Sequence, residues 1–298
     1  MTKLDKNCEK RALFRMRTFL SACLAGGLGV FSSVSAAIAD TAITFGVYTS
    51  DKPSAVVRKF MPSLKALEHE VSKILQEPVK IKIKVAKTYE GGVSDLVTGV
   101  VDFSRFGPAS YIAAKNENPD ISILAMESKK GKKVFHGVIA VSKNSPIKAV
   151  KELKGKSFAF GNEASTIGRY LSQLYLVEHG IYASDLSNYE YLGRHDRVGA
   201  DVDAGKFDAG ALKEGTFNSL VKSGKALKVI AKFENVTKPW IARAGLPDRI
   251  RKALSQALLG MTDNKALKAL AKGGFLHGTD GDYERIRRSI SRNGEFFR

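Results

Sequence analysis

This chain predicts an α/β fold of two lobes, each a mainly parallel sheet flanked by helices. Three observations carry that expectation. Strand-like and helix-like patterns alternate from residue 42 onward. No internal repeat, heptad run or low-complexity tract points to another architecture. Once a leader is set aside, about 259 residues remain, enough for one large domain or two lobes.

The leader comes first. Lys3, Lys6, Lys10, Arg11, Arg15 and Arg17 precede an uncharged apolar stretch over 18–34, which closes on Ala37-Ile38-Ala39. That order reads as a secretory signal peptide over 1–39, cleaved before Asp40. The apolar run is short for a membrane span. Cys23, after Leu20-Ser21-Ala22, offers a lipid-anchor site as the lesser alternative. Cys8 and Cys23 are the two cysteines, so the remainder has no thiol, which suits an oxidising compartment such as the periplasm.

Residues 42–48 read as a strand and 56–75 as a helix, with Phe60, Leu64, Leu67, Val71, Ile74 and Leu75 at helical spacing. Val79, Ile81, Ile83 and Val85 alternate with three lysines, the period of a half-exposed strand. A short helix over 92–98 and a strand over 101–106 follow. Pro108 opens a helix over 109–115, a position where its missing N–H is not needed. Strands are expected over 121–126 and 135–141. A second block holds a helix over 147–153, a strand over 157–161 and a helix over 165–179 stopped by Gly180. It continues with strands over 189–192, 207–212 and 226–233 and a helix over 197–204. Helices over 250–259 and 265–272 and a segment over 283–289 complete the chain. This order predicts crossings between lobes near 137–143 and 232–240. Lobe 1 is then 40–140 with 236–298, and lobe 2 is 141–235.

The net charge is +18; the leader holds six basic and two acidic residues, so the remainder keeps +14. Lys and Arg are spread along the chain without a concentrated basic face. That disfavours nucleic acid and favours a field that attracts a small anionic solute. Enzyme signatures are missing: there is no G-x-S-x-G, no H-E-x-x-H and no clustered Cys/His set. No catalytic residue, metal or cofactor is expected.

Five stretches carry candidate ligand-binding residues. Gly46-Val47-Tyr48-Thr49-Ser50 ends the first strand in hydroxyls. Phe106-Gly107-Pro108-Ala109-Ser110-Tyr111 is a strand, turn and helix start. In 158–169, a buried strand runs into Ser165, Thr166, Ile167 and Gly168 at another helix start. Hydroxyls and free N–H groups there suit an oxyanion, although Ser165 also reads as a plain N-cap. His195 follows a strand, as an anion donor or a surface residue beside a capping Asp196. Asp208 is read as a carboxylate in a buried strand, facing a protonated ligand oxygen or amine, or a nearby cation. The crevice of an open α/β sheet lies at the carboxyl ends of its strands, which is why these positions stand out.

Together the five stretches resemble the phosphate/phosphite/phosphonate-binding proteins of ABC transporters, over nearly the whole chain from Ile43 to the helix at Ile250. The matching positions are Tyr48, the Gly107–Tyr111 turn, Ser165-Thr166-Ile167-Gly168, His195 and Asp208. The resemblance implies a type II periplasmic binding fold, a phosphorus oxyanion held between the lobes, and delivery to a membrane ABC permease by a monomer. Tyr48, Tyr111, Ser165, Thr166, Gly168, His195 and Asp208 are then the ligand-binding set. Two departures touch ligand choice. Ile167 stands where the family has a second Ser, and Glu163 brings a carboxylate near the expected anion, with Arg169 as a counterweight. A sensor subunit using the same lobes is the alternative function.

Overall fold

A computed structural model describes residues 41–49, 53–270 and 272–298. The expected signal peptide, the Cys23 alternative and Ser50 lie outside the described residues.

The chain runs β1 (Thr41–Tyr48), α1 (Pro53–Leu75), β2 (Val79–Ala86), α2 (Tyr89–Val97), β3 (Phe103–Arg105), α3 (Pro108–Glu117), β4 (Ser122–Glu127) and β5 (Val134–Ser142). Then come β6 (Ser157–Phe160), a wide helical turn Thr166–Tyr170 that continues as α4 (Leu171–Glu178), β7 (Asn188–Tyr191), α5 (His195–Asp203), β8 (Ala209–Lys213) and α6 (Glu214–Lys222). The rest is β9 (Leu227–Val236), β10 (Pro239–Ala242), α7 (Asp248–Leu259), α8 (Asn264–Leu270), β11 (Phe275–Leu276) and α9 (Glu284–Ser291), ending in a short turn of helix Asn293–Phe297. No helix among the described residues is long and apolar enough to cross a membrane.

Two sheets form, with helices packed on them. The first has the order β11-β4-β10-β3-β1-β2 and the second β7-β6-β8-β5-β9. The α/β two-lobe expectation holds, but the sheets are mixed. In the first, β1 is parallel to β2 and β3, while β10 is antiparallel to both β3 and β4. In the second, β6 is parallel to β7 and β8, while β5 is antiparallel to β8 and β9. The odd strand next to each crossing is the one that enters from the other lobe: β5 in the second sheet and β10 in the first arrive without a βαβ crossover, and the short β11 is also antiparallel to β4.

β10 was not expected from sequence. Its four residues include a proline, and Pro239 takes the first position of the strand, where a missing N–H is tolerated. Trp240 beside it is fully buried, stacks on Phe45 at 5.0 Å and meets Phe275 edge-on at 5.5 Å. β2, by contrast, matches its pattern: it is an edge strand with its lysines outward, which protects the open edge.

The first crossing lies elsewhere than expected. β5 pairs with β8 and β9 along its length, so the chain leaves the first sheet over 128–133, earlier than 137–143. The return is at 237–238, between β9 and β10. The two crossings run together: Thr237 N donates to Lys133 O at 2.9 Å. The tail is not wholly in lobe 1. The Asn293 amide donates to Gln173 Oε1 at 2.7 Å, and Phe296 packs on Phe160 and Tyr189 of the second lobe. An apolar Phe at the chain's end found its burial there, which no periodicity could announce.

Candidate functional site

Strand polarity decides where chemistry gathers. Tyr48, Arg105 and Glu127 end β1, β3 and β4, and Lys238 precedes the antiparallel β10, so all four reach one edge of the first sheet. In the second sheet the facing edge holds Gly161 after β6, His195 after β7, Lys213 at the end of β8 and Asn235 near the end of β9. Between the edges lies a small pocket of about 30 Å³, lined from the first lobe by Tyr48, Tyr89, Arg105, Gly107 and Lys238. Ser165, Thr166, Ile167, His195 and Asn235 line it from the second.

Of the seven expected residues, Tyr48, Ser165, Thr166 and His195 meet at this pocket; Gly168, Tyr111 and Asp208 do not line it. The buried Tyr48 hydroxyl accepts from Gly107 N at 2.6 Å and lies 2.9 Å from Ser110 Oγ. Burial raises its pKa, so it stays a neutral donor. Thr166 Oγ1 accepts from Ala109 N at 2.9 Å, a bond that joins the lobes and leaves the hydroxyl hydrogen to donate. His195 is 3% exposed in the first turn of α5.

Ser165 Oγ accepts from Gly168 N at 2.9 Å, so the capping role is realised and that N–H is taken. Gly168 serves packing: a Cβ there would stand 2.7 Å from Gly161 Cα. The first-turn N–H groups of Thr166 and Ile167 have no acceptor within the helix. Tyr111 is buried away from the pocket, where its hydroxyl donates to Asp280 at 2.7 Å. Asp208 was expected in a buried strand following the crevice pattern. It is exposed and sits before β8, at the opposite end of the sheet, where it accepts from Ser157 N and Oγ at 2.9 and 2.8 Å. β6 and β8 are parallel, so their starts pair with each other and cannot face the other lobe. Glu163 is exposed and lines no part of the pocket; Arg169 turns to Glu163 O and the Tyr170 and Tyr191 rings.

Sequence reasoning missed the charged floor. Arg105 forms a two-toothed pair with Glu127 at 2.7 and 3.1 Å, and Lys272 meets the same carboxylate at 3.0 Å. Burial would raise the Glu127 carboxyl, but Arg105 and Lys272 hold it well below the usual range. Burial, with Arg105 alongside, lowers the Lys238 ammonium well below its ordinary value. Asn235 was also missed. It is 2% exposed, lines the pocket, and neither side-chain polar atom has a hydrogen-bond partner. An amide kept so is costly unless something else fills it. Its place in the alternation of β9 marked it as inward-facing; nothing in the sequence marked it as unpaired.

The fold and these polar groups invite comparison with known proteins. A family model described as the periplasmic phosphonate substrate-binding protein of ABC transporters matches residues 45–283. The chain belongs to this family. A probable ABC transporter phosphite-binding protein of Prochlorococcus marinus is 30% identical over 67% of this chain and 70% of its own. The solved structure of a P. marinus protein of this type with methylphosphonate has a TM-score of 0.73 at 24% identity, covering 86% of this chain and 99% of that one. A phosphonate transporter binding component of Pseudomonas aeruginosa gives 0.76 at 18% identity, over 86% and 88% of the two chains. Members of this family are periplasmic substrate-binding proteins of ABC transporters, so the chain is a binding protein of that type and not an enzyme.

Proposed function

We propose that this binding protein captures a small phosphorus oxyanion in the pocket between its lobes and delivers it to a membrane ABC permease, acting as a monomer in the periplasm after loss of residues 1–39. The observation that carries the reading is the pocket's donor set. Tyr48, Thr166, His195 and the Asn235 amide converge on it with Arg105 and Lys238 as cations. Donors from both lobes suit an anion whose oxygens point several ways, and binding then favours the closed arrangement. Relatives named for phosphite and methylphosphonate support a phosphorus centre. Within the pocket, Ile167 offers an apolar contact in place of a hydroxyl, which suits a ligand face carrying hydrogen or carbon instead of oxygen.

Calorimetric titration with phosphite, methylphosphonate, phosphate and sulfate tests the reading. Binding of at least one phosphorus oxyanion, with sulfate weaker, is the expected result. Hydrogen bonds to a charged group contribute roughly 1.5–3 kcal/mol, so Thr166→Val should weaken that binding about ten- to a hundredfold. Asp208→Asn and Tyr111→Phe should leave it unchanged. Equal affinity in Thr166→Val, or no binding of any of the four, sinks the assignment.

A further inference from the structure

The small pocket opens onto something larger. Arg105, Phe135, Lys213 and Lys238 line it and also line a cleft of about 840 Å³, within the size range of small-molecule sites. Nine Lys and Arg side chains line that cleft against two carboxylates, Asp196 and Glu214. At the rim the charges are matched: Lys129 meets Glu214, Arg194 meets Asp196, and Lys225 meets Asp203, each at 3.0 Å.

Deeper in, they are not. Arg105 and Lys272 share the one carboxylate of Glu127. Among the described residues, Lys59 and Lys238 have no carboxylate within 4.0 Å. Their nearest recorded partners are aromatic faces, Phe60 at 6.0 Å and Phe135 at 5.1 Å. Burial, with Arg105 nearby, brings the Lys59 ammonium down to about 7, because the opposing pull of Glu127 is too weak to offset them. Cations gathered in a half-buried cleft repel one another, and an incoming anion relieves both that repulsion and their lost hydration.

We propose that Lys59 and Lys238, backed by Arg105, form a second anion subsite, and that the ligand is a short organic phosphonate or phosphate ester bearing a second anionic group. Its phosphoryl end occupies the small pocket and its other acid reaches the lysines. This rests on the phosphoryl reading of that pocket. A ligand with a cationic tail is disfavoured by the same charges.

The test is titration of wild type, Lys59→Met and Lys238→Met with methylphosphonate, phosphonoacetate and 2-aminoethylphosphonate. For wild type we expect phosphonoacetate to bind about tenfold or more tighter than methylphosphonate, and aminoethylphosphonate to bind weaker than either. The Met substitutions keep the stem packing. Both should abolish the phosphonoacetate advantage; Lys59→Met, which lines only the larger cleft, should leave methylphosphonate unchanged, whereas Lys238→Met, which also lines the small pocket, should weaken methylphosphonate as well. Circular dichroism checks the fold, and Lys59→Arg should restore the advantage. Equal wild-type affinity for methylphosphonate and phosphonoacetate, or an advantage that survives both substitutions, overturns the subsite. If no phosphonate binds, the phosphoryl reading fails separately. The subsite is then judged by thermal shift with citrate and pyrophosphate, where a shift lost in Lys59→Met sustains it and no wild-type shift ends it.

Discussion

At Asn235 the free and loaded forms of the protein make opposite demands. In the free form a fully buried amide with no partner costs stability, on the order of 1–3 kcal/mol. In the loaded form the same amide supplies a donor to an oxyanion. Asn235→Leu should therefore raise the denaturation midpoint of the free protein while lowering ligand affinity about tenfold or more. Paired chemical denaturation and calorimetry check both signs. A stability loss with affinity intact would make Asn235 a packing residue. Tyr48 and Tyr111 show how little residue type alone decides. Both are buried Tyr following strand-and-turn patterns, yet one lines the pocket and the other is fastened to Asp280.

Elements set which residues meet, and the β6-to-α4 corner shows how. Gly161 N donates to Gly168 O at 2.8 Å, and the two Cα atoms approach too closely for a side chain on either. That contact bends the chain so that Thr166 reaches Ala109 on the other lobe. Gly168→Ala must push β6 and the helical turn apart, at about 1–3 kcal/mol of stability. The displaced Thr166 should then lose ligand affinity as well, although the N–H of residue 168 is kept. A denaturation curve and a titration on the same variant test this, and an unchanged midpoint would show that the corner gives way freely. The tail supports the crossings in a similar way: Lys133 meets Asp282 at 2.9 Å and the Tyr283 hydroxyl donates to Thr237 O at 3.1 Å.

On the scale of the molecule, the positive charge becomes a pH effect. Lys59 has a folded pKa of about 7, against 10.5 for an ordinary lysine. Between those values the unfolded chain holds a proton that the folded one has released. Stability of the free protein from this group therefore rises as pH climbs from about 7 toward 10.5, and the penalty is complete below that window. Lys238 acts in the same direction. Arg105, Lys213 and Lys272 face Lys59 as cations and Glu127 faces it as an anion. A bound anion reverses the balance by favouring the ammonium. Binding of phosphonoacetate above pH 7 should then take up protons and weaken as pH rises. Calorimetry at pH 8 in buffers of different ionisation enthalpy measures the uptake, which should fall in Lys59→Met. Uptake equal in wild type and variant would separate Lys59 from the ligand.

The sequence by itself determined the alternation of strands and helices, the edge character of β2, and four residues of the pocket. It also carried the family, because glycine, proline, hydroxyl and helix-start signals are local and survive in one dimension. Tertiary structure alone decided the rest. Asp208 was misread because a strand's start and end look alike in sequence, while only the carboxyl ends of β6 and β8 face the other lobe. β10 was hidden by its shortness and its proline, and with it the antiparallel step that brings Lys238 beside Arg105. The cation cluster and the unpaired Asn235 are sums over distant segments, from α1 to the tail. Charge spread evenly along a chain carries no sign of where folding will concentrate it.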